Sequence, residues 1–534
     1  MAEPTALGTH LSSVLMRLAG VDDPLVREAI LAVVASLETG SVAWQPDPDD
    51  PRVGALRATT LCGGPEEDGA PLAWVGGRVY LRRHYAIEAR VAARLRHRLA
   101  VPPTPVDDDI AARWSDGATD NQPAAIRLAL ARPSTVITGG PGTGKTWVAV
   151  QLLAALLERD PTARARLLAP TGKAATRLAE SVAQAVQRLG PEHAALVGRI
   201  PTVATTVHAA LRSLHERIVV VDEASMMDLG ITDQLLDALS PDARLVLLGD
   251  VDQLSSVDVG NVLSSWIAAA ERPESPCAGS VARLEKSHRT SSTPLLQLAA
   301  AIRAGDPDQT IAVLRGGGND AVWGDPIPAD GLGVGLRALV LRHYGPLPAH
   351  TDPASALAAL QCFRILTPHK SGTVTTRRIN TFVAAEVSAS RTPSGSGRVH
   401  AGCPLLVTEN DPAAGVLNGD VGLPLTGPDG SVMVWFADPR GPRSVAPGRL
   451  PSTTEAWAMT IHKAQGSEFD EVAIVMPNAD SALLDREMLY TAVTRARSRV
   501  VLLGSEEAIR KAVTTQTRRT SGLADALAAP TVET

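Results

Sequence analysis

Residues 139–146, Gly139-Gly140-Pro141-Gly142-Thr143-Gly144-Lys145-Thr146, match the phosphate-binding pattern GxxxxGK[ST] and decide the fold of this 534-residue chain. A β-prone run, Ser134–Thr138, precedes them, and an apolar-periodic segment begins at Trp147. In a strand–turn–helix of this kind, backbone N–H groups hold phosphate oxygens that the glycines allow to approach closely. The pattern predicts a nucleotide site formed by Gly140 to Thr146, in which Lys145 reaches the β/γ-phosphates and Thr146 ligates Mg²⁺.

From Asn121 onward, helical segments alternate with short apolar runs, several rich in β-branched residues. This alternation predicts an α/β fold with parallel sheets, whose ligands bind at the carboxyl ends of the strands. The first set of predicted strands is Ser134–Thr138, Ala165–Leu168, Ile218–Val221 and Arg244–Leu248. The second set is Arg364–Leu366, Ala458–Ile461, Val472–Met476 and Val500–Leu503.

Short β-like runs interrupt the second set and predict a small β-barrel insert. They are Leu405–Thr408, Val421–Leu425 and Val432–Phe436. The predicted domains are an N-terminal accessory domain (1–105), a first α/β domain (106–282), a second α/β domain (283–387 and 453–534) and the insert (388–452). Residues 304–356 are Gly/Pro/Asp-rich with a few helical pieces, whose place within the second α/β domain is left open. The polar tail after Thr514 is expected to be frayed.

The N-terminal domain is predicted to contain two apolar-periodic helices, a β-like stretch and a basic helix. Their ranges are His10–Ala19, Leu25–Leu37, Leu72–Leu81 and Ala86–Leu99. The basic helix carries Arg90, Arg94, Arg96 and Arg98, which could contact a polyanion. Arginines on a helix more commonly form a solvated face, and that interpretation is preferred.

Composition narrows the class of protein. Hydrophobic residues make up 45% and charged residues 20% of the chain, as is ordinary for a globular protein. The net charge of −6 provides no general basic surface, so a nucleic acid would have to bind in a local groove. The four cysteines form no CxxC pair and indicate neither a zinc site nor an iron–sulfur cluster. Without a signal peptide pattern or a long apolar run, the expected location is cytoplasmic.

An acidic pair, Asp222-Glu223, directly follows the apolar strand Ile218–Val221. A carboxylate at the end of a strand can hold the Mg²⁺ shell, and its neighbour can orient or deprotonate the attacking water. We assign the first role to Asp222 and the second to Glu223. Such a pair could merely begin a loop, but the upstream phosphate-binding loop favours the catalytic interpretation.

Three further polar residues are candidates for sensing or stabilising the phosphoryl group. Gln253, in GDVDQL after the next strand, can hydrogen-bond both the γ-phosphate and a neighbouring element. Arg289 in LEKSHRT and Arg495 in LYTAVTRAR could supply cations to the transferring group, as arginine fingers do. Each arginine alone is weak evidence, because most arginines lie on the surface.

The ordered motifs resemble those of superfamily 1 helicases. In chain order they are Gln122, GGPGTGKT, LLAPTGKAATRL (167–178), TTVH (205–208), VVVDEAS (219–225), LLGDVDQLSSV (247–257), LEKSHRT (284–290), AMTIHKAQGSEFDEV (458–472) and LYTAVTRAR (489–497). The resemblance covers about residues 121–503. It implies two RecA-like motor domains with ATP between them, where Gln122 reads the adenine and Arg289 and Arg495 come from the second domain. The absence of an NKxD motif also favours ATP over GTP.

Within that superfamily the chain is similar to the RecD family. The marks are LAWVGGRVYLRRHYAIEARVA (72–92), DEASMMD (222–228), SHRTSSTPLLQLAAAIRAGD (287–306) and NDPAAGVLNGDVG (410–422). The resemblance implies a 5′→3′ motor on single-stranded DNA, an SH3-like barrel as the insert, and RecB-like and RecC-like partner subunits.

The same matching implies a set of DNA contacts made by short hydroxyls and single cations, which suit a grip on phosphates without base reading. The set comprises Pro170, Thr171, Lys173, Thr206, His208, Thr460, His462 and Lys463. A structural role is the alternative for the two histidines. Glu468 is expected to meet the ribose or to support the neighbouring loop.

Two departures from the family pattern bear on function. His288 replaces the tyrosine or phenylalanine that usually precedes the finger arginine and stacks on adenine, so base affinity is expected to be weaker. The interval between His208 and Asp222 is too short for the β-hairpin pin with which relatives part the duplex. We therefore hypothesise that strand separation depends on partner subunits.

The leading hypothesis is an ATP-dependent DNA helicase subunit of a complex that processes double-strand breaks. One alternative is a stand-alone RecD-like helicase, which the short region before Gly139 disfavours. Another is a regulatory subunit with a nucleotide switch, which the full set of hydrolytic residues disfavours. No nuclease constellation was found beyond the predicted ATP site.

Overall fold

The structure, a computed structural model, describes residues 5–67, 69–287, 292–368, 375–389, 400–438 and 441–530. The described residues form two all-parallel sheets of six and five strands, a four-stranded sheet that precedes them in sequence, and a five-stranded sheet that interrupts the second. The prediction of an α/β protein with parallel sheets is confirmed. Among the residues described, no helix is both long and apolar enough to cross a membrane.

The N-terminal module combines four helices with a small mixed sheet. Its elements are α1 (Ala6–Ala19), α2 (Pro24–Glu38), β1 (Ala43–Trp44), α3 (Pro51–Arg57), β2 (Cys62–Gly63), β3 (Leu72–Val75), β4 (Arg78–Leu81) and α4 (Arg82–Leu99). The predicted β-like stretch is the antiparallel β3–β4 hairpin, whose two-residue turn is Gly76-Gly77. Both glycines have positive φ, as a tight hairpin turn requires.

The first parallel sheet carries the glycine-rich loop. Its elements are α5 (Asp108–Trp114), α6 (Gln122–Ala131), β5 (Ser134–Gly139), α7 (Lys145–Arg159), β6 (Ala165–Ala169), α8 (Gly172–Val186), α9 (Ala194–Val197), β7 (Ala204–Thr206), α10 (Val207–Ala210), β8 (Ile218–Val221), α11 (Leu229–Ala238), β9 (Arg244–Gly249), α12 (Val262–Ala270) and β10 (Val281–Leu284). The strand order is β10-β5-β9-β8-β6-β7. In β8, Val219 and Val221 pack into one core and Ile218 and Val220 into another, so both faces of the sheet are covered.

Residues 304–356 supply helices and an edge strand to the second sheet. Between Thr293 and Ala389 the elements are α13 (Thr293–Ala304), α14 (Pro307–Gly316), β11 (Ala321–Gly324), α15 (Gly333–His343), α16 (Pro353–Cys362), β12 (Phe363–Thr367) and α17 (Thr376–Ala389).

The insert is a five-stranded antiparallel sheet. Its strands are β13 (Leu405–Val407), β14 (Val421–Thr426), β15 (Val432–Phe436), β16 (Arg443–Val445) and β17 (Thr453–Glu455). The three predicted runs correspond to β13, β14 and β15. Closure of this sheet into an SH3-like barrel stays a prediction.

The second parallel sheet is completed after the insert. The remaining elements are β18 (Ala458–Thr460), β19 (Phe469–Val475), α18 (Arg486–Val493), β20 (Ala496–Leu503), α19 (Glu506–Thr514) and α20 (Leu523–Ala528). The strand order is β11-β20-β19-β12-β18.

Helix α4 docks on the first parallel sheet, and the interpretation of its arginines as a solvated face is wrong for the buried Arg98. Arg90 keeps about half of its side chain exposed, as that interpretation expects, but it is also bonded within the protein. Arg90 and Arg94 both bind the Asp233 carboxylate on α11. Arg98 is buried and donates to the Ser134 hydroxyl at 3.0 Å and to the carbonyl of Ala243. These bonds attach α4 to α11 and to the first parallel sheet.

The C-terminal tail is docked, and the expectation that it frays is wrong. Arg519 donates to carbonyl and hydroxyl oxygens of Ser256. Gly522 donates its N–H to the Glu88 carboxylate of α4 at 3.0 Å. Leu523 and Leu527 of α20 are buried in the core that α4 and α12 share with the first sheet. The tail therefore joins the last helix of the second sheet to the N-terminal module.

Candidate nucleotide and DNA site

The glycine-rich loop connects the end of β5 to the start of α7, as predicted. Gly142 and Gly144 have φ values of 77° and 84°, which residues other than glycine rarely adopt. A Cβ on Gly139 would lie 2.6 Å from the carbonyl oxygen of Leu284. Lys145 donates to the carbonyl oxygens of Gly139 and Gly140 at 2.6 and 3.1 Å, which folds its ammonium group back over the loop.

Gln122 lies against the base of this loop. Its side-chain amide donates to the carbonyl of Thr143 at 3.0 Å and accepts from the N–H of Thr119 at 3.2 Å. The structure thus brings Gln122 to the nucleotide loop, while its role in reading adenine stays a prediction.

Asp222 and Glu223 lie at the carboxyl end of β8. Glu223 has a φ of 53°, a strained value for a residue other than glycine and one that often marks a functional position. Its N–H donates to Asp222 Oδ1 at 2.9 Å. Burial, reinforced by the neighbouring Glu223 carboxylate, raises the pKa of Asp222 to about 6, and the Lys145 ammonium opposes this rise. The acidic pair therefore lies within the electrostatic reach of the loop lysine.

Arg495 reaches this group from the second sheet. It follows α18, is 2% exposed, and donates from Nη2 to Gln253 Oε1 at 2.9 Å. Burial lowers the pKa of Arg495, and the Glu223 carboxylate partly counteracts that effect. The structure thus brings together five predicted residues: Lys145, Asp222, Glu223, Gln253 and Arg495.

The predictions for His288 and Arg289 fall outside the described residues. The residue before them, Ser287, donates its hydroxyl to the carbonyl of Pro141 in the glycine-rich loop at 3.0 Å. The described chain on the N-terminal side of Arg289 therefore contacts the nucleotide loop.

A cavity of about 570 Å³ is lined by most of the predicted DNA contacts. Thr171 and Lys173 line it from the first sheet, and Thr460, His462 and Lys463 from the second. Pro170, Thr206 and His208 are not among its lining residues. The Thr206 hydroxyl instead accepts from the N–H of Ala209 and caps α10.

The Lys173 side chain has an altered acidity in this cavity. Burial and the nearby cations Arg364 and Arg177 lower the pKa of Lys173 to about 8, while Asp420 of the insert opposes the shift. The residues Asn418 and Gly419 of the same insert loop also line the cavity. This loop is not among the DNA contacts that the family resemblance implies.

An ion pair between Arg177 of α8 and Glu468 connects the two parallel sheets. Arg177 also donates to the carbonyl of Gly466 at 3.0 Å, and Glu468 contacts Arg497 at 3.3 Å. Sequence reasoning missed this use of Arg177, although the residue lies within the motif LLAPTGKAATRL. The support of the neighbouring loop expected of Glu468 fits this arrangement.

The chain between α10 and β8 is fully described, and residues 211–217 contain no strand. The sequence-based expectation that a hairpin is missing at this point therefore holds in the structure.

The strand–loop–helix and the acidic pair on a parallel sheet define a P-loop nucleoside-triphosphatase. A family model described as an AAA domain matches residues 117–319, and a UvrD-like helicase C-terminal domain matches residues 455–503. RecBCD enzyme subunit RecD of Mycobacterium tuberculosis is 38% identical over 96% of this chain and 93% of its own length. The chain belongs to the RecD family.

Other relatives extend the comparison. RecBCD enzyme subunit RecD of Mycolicibacterium smegmatis is 36% identical, with 96% of each chain covered. The ATP-dependent RecD2 DNA helicase of Deinococcus radiodurans is 29% identical over 85% of this chain and 60% of its own. A crystal structure of Bacteroides Pif1 bound to single-stranded DNA is 16% identical over 72% of this chain and 91% of its own, with a TM-score of 0.39.

Proposed function

We propose that this chain is an ATP-dependent 5′→3′ translocase and helicase on single-stranded DNA. The observation that carries the proposal is the bond from Arg495 to Gln253, because it delivers a cation from the second sheet to the nucleotide site of the first. Residues 106–284 form one motor domain, since β10 of the first sheet ends at Leu284 and moves the expected boundary from 282 to 284. Residues 285–387 with 453–514 form the other, because α20 of the tail packs with α4 and α12 on the first sheet. Nucleotide binding and hydrolysis change how these domains close on each other, and each grips DNA phosphates in turn.

Mg²⁺ fits the donor set at the nucleotide site. The Thr146 hydroxyl and the Asp222 carboxylate are hard oxygen donors, which this cation prefers. Burial beside Glu223 disfavours the charge on Asp222, and a divalent cation would neutralise it. When bound, the ion supplies charge stabilisation to the phosphates. Lys145 binds the β/γ-phosphates, Glu223 orients water, and Arg289 and Arg495 stabilise the developing charge.

The chain acts as the RecD-type subunit of a RecBCD-like complex with RecB-like and RecC-like partners. This proposal is supported by similarity to two mycobacterial RecD subunits over 96% of the chain. With no strand between α10 and β8 to part a duplex, strand separation depends on those partners. The isolated chain walks on single strands.

The test is a DNA-stimulated ATPase assay on the purified chain and its Lys145→Ala variant. We expect Lys145→Ala to abolish hydrolysis, and Lys511→Ala, a lysine on α19 bonded to the carbonyl of Ala479, to leave it unchanged. DNA-dependent hydrolysis that survives Lys145→Ala would overturn the motor assignment. Translocation towards traps at the 5′ or 3′ end tests polarity, and co-purification with untagged candidate subunits tests the assembly.

A further inference from the structure

A buried chain of hydrogen bonds continues beyond Arg495 and Gln253 to a carboxylate that no motif role accounts for. Gln253 Nε2 donates to Asp250 Oδ2 at 2.8 Å, while Gln253 Oε1 accepts from Arg495 at 2.9 Å. The other carboxylate oxygen, Asp250 Oδ1, accepts the N–H of Asp252 at 3.1 Å and is thereby fixed to its own turn. Asp250 is 1% exposed.

These two partners leave the Gln253 amide one orientation. An ionised carboxylate only accepts hydrogen bonds, and a guanidinium only donates them. The NH₂ group of Gln253 must therefore face Asp250, and its oxygen must face Arg495. In a flipped amide, the Gln253 oxygen would face the Asp250 carboxylate, and the Gln253 NH₂ group would face the Arg495 guanidinium. Neither pair could form a hydrogen bond, and the site is buried.

Tyr490 brings the second sheet to the same carboxylate. Its hydroxyl lies 3.4 Å from Asp250 Oδ2, and a Cβ on Gly140 would be 3.0 Å from that hydroxyl. The tyrosine thus fits between the nucleotide loop and Asp250. The next residue, Thr491, accepts the N–H of Leu254 at 2.8 Å, so the segment after Asp250 is bonded to α18 a second time.

Three donors face the Asp250 carboxylate, namely the N–H of Asp252, Gln253 Nε2 and the Tyr490 hydroxyl. Burial raises the pKa of Asp250, and the Lys145 ammonium together with the Gln253 bond opposes this rise. Burial and the two carboxylates Asp250 and Asp252 raise the pKa of Tyr490. The phenol therefore stays protonated and remains a donor.

We propose that Asp250 and Tyr490 are positioning residues for hydrolysis, which set the orientation of Gln253 and so its bond to Arg495 beside the nucleotide loop. The inference rests on the proposed ATPase function. Asp250 acts through Gln253. Because Tyr490 belongs to the second sheet, its bond makes the position of Asp250 depend on the contact between the two parallel sheets.

The test compares Asp250→Asn and Tyr490→Phe with Tyr344→Phe. Asparagine keeps the shape of aspartate but can both donate and accept, so it permits both orientations of the Gln253 amide. Tyr344→Phe is the matched control, since it also removes a buried hydroxyl, one bonded to the carbonyl of Trp457 at 2.7 Å and away from this site. Each variant is assayed for kcat and KM of DNA-stimulated hydrolysis, for affinity for a fluorescent ATP analogue, and for thermal unfolding.

We expect kcat to fall about tenfold in Asp250→Asn and about threefold in Tyr490→Phe, as loss of one buried hydrogen bond allows. Nucleotide affinity should stay within about twofold, because neither residue is assigned a phosphate contact. Tyr344→Phe should keep the wild-type kcat. Adding Asp250→Asn to Gln253→Ala should lower kcat no further, since Asp250 acts through Gln253.

An additive loss in that double variant would overturn the positioning role, as would a wild-type kcat in both Asp250→Asn and Tyr490→Phe. An unfolded Asp250→Asn leaves the decision to Tyr490→Phe and its control. A wild-type chain without DNA-stimulated hydrolysis would instead overturn the proposed function.

Discussion

Arg177, at the surface of the first parallel sheet, forms an ion pair with the nearly buried Glu468 of the second. The side chain of Glu468 is 6% exposed and that of Arg177 28% exposed. The pair lies beside Gly466, where an added Cβ would be 3.5 Å from the Cβ of Ala174 on the first sheet. It therefore contributes to the relative position of the sheets in this structure.

We expect Arg177→Ala to lower the free energy of unfolding by roughly 1–3 kcal/mol, because Glu468 keeps only part of its compensation in a buried setting. The matched control is Arg127→Ala, which breaks an ion pair with the exposed Asp108. This variant should change the free energy of unfolding by less than about 1 kcal/mol. Chemical denaturation measures both. Equal losses in the two variants would contradict the role of the Arg177–Glu468 pair.

Lys173 predicts a pH dependence of DNA binding. Its pKa of about 8 means that the cation dominates below pH 8 and the neutral amine above it. Affinity for single-stranded DNA should therefore fall between pH 7 and pH 9, and the slope of log K against log salt should shrink by about 0.7. Fluorescence anisotropy with an oligonucleotide measures both quantities.

Lys173→Arg is the control for this effect, because a guanidinium stays protonated throughout that range. The variant should lose less affinity than the wild type as the pH rises. A pH effect of equal size in both proteins would assign the titration to another group.

Glu88 predicts a pH dependence of stability. Burial raises its pKa, despite bonds from Ser521, Tyr80 and Gly522. The folded state therefore holds the proton more strongly than the unfolded state, so the contribution of Glu88 to stability is full below about pH 4.5 and is lost as the pH rises through the folded pKa. The free energy of unfolding of the wild type, relative to that of Glu88→Gln, should fall over this window. A relative free energy that rises with pH would contradict the assignment.

The docked tail predicts a cost for shortening its apolar side chains. Leu523→Ala and Leu527→Ala should each lower the free energy of unfolding by about 2–5 kcal/mol, because each side chain is buried in the core with α4 and α12. Leu18→Ala, at an exposed position on α1, should stay within about 0.5 kcal/mol. Denaturant unfolding of the three variants makes the comparison. A tail that is loose in solution would give three similar values.

The nucleotide site was predictable because its residues follow strands in short patterns with local causes. Asp222 comes directly after β8, and Lys145 follows β5 across the loop from Gly140 to Gly144. The ends of parallel strands meet at one edge of a sheet, which brings both residues to the same place. The tail was not predictable in this way. Arg78 donates a hydrogen bond to Asp525, 447 residues away in sequence, and no local pattern around either residue predicts this pairing.

The same limit applies to α4 and to the insert loop. Arg98 has the sequence surroundings of an exposed arginine, and only the packing of α4 on the first sheet buries it. Asn418 reaches the cavity with Lys173 because the insert brings its loop there. The edge strand within residues 304–356 was not predictable, because β11 is only four residues long and three of those four are partly exposed.

The docked tail also orders events during synthesis of the chain. Glu88 is made early, but its partners Ser521 and Gly522 are added 433 and 434 residues later. At about 5–20 residues per second, the ribosome takes roughly 20–90 s to reach them. During that time the Glu88 carboxylate of the nascent N-terminal module lacks the hydrogen-bond donors that its burial requires. The first part of this protein to be translated is therefore among the last to reach its final packing.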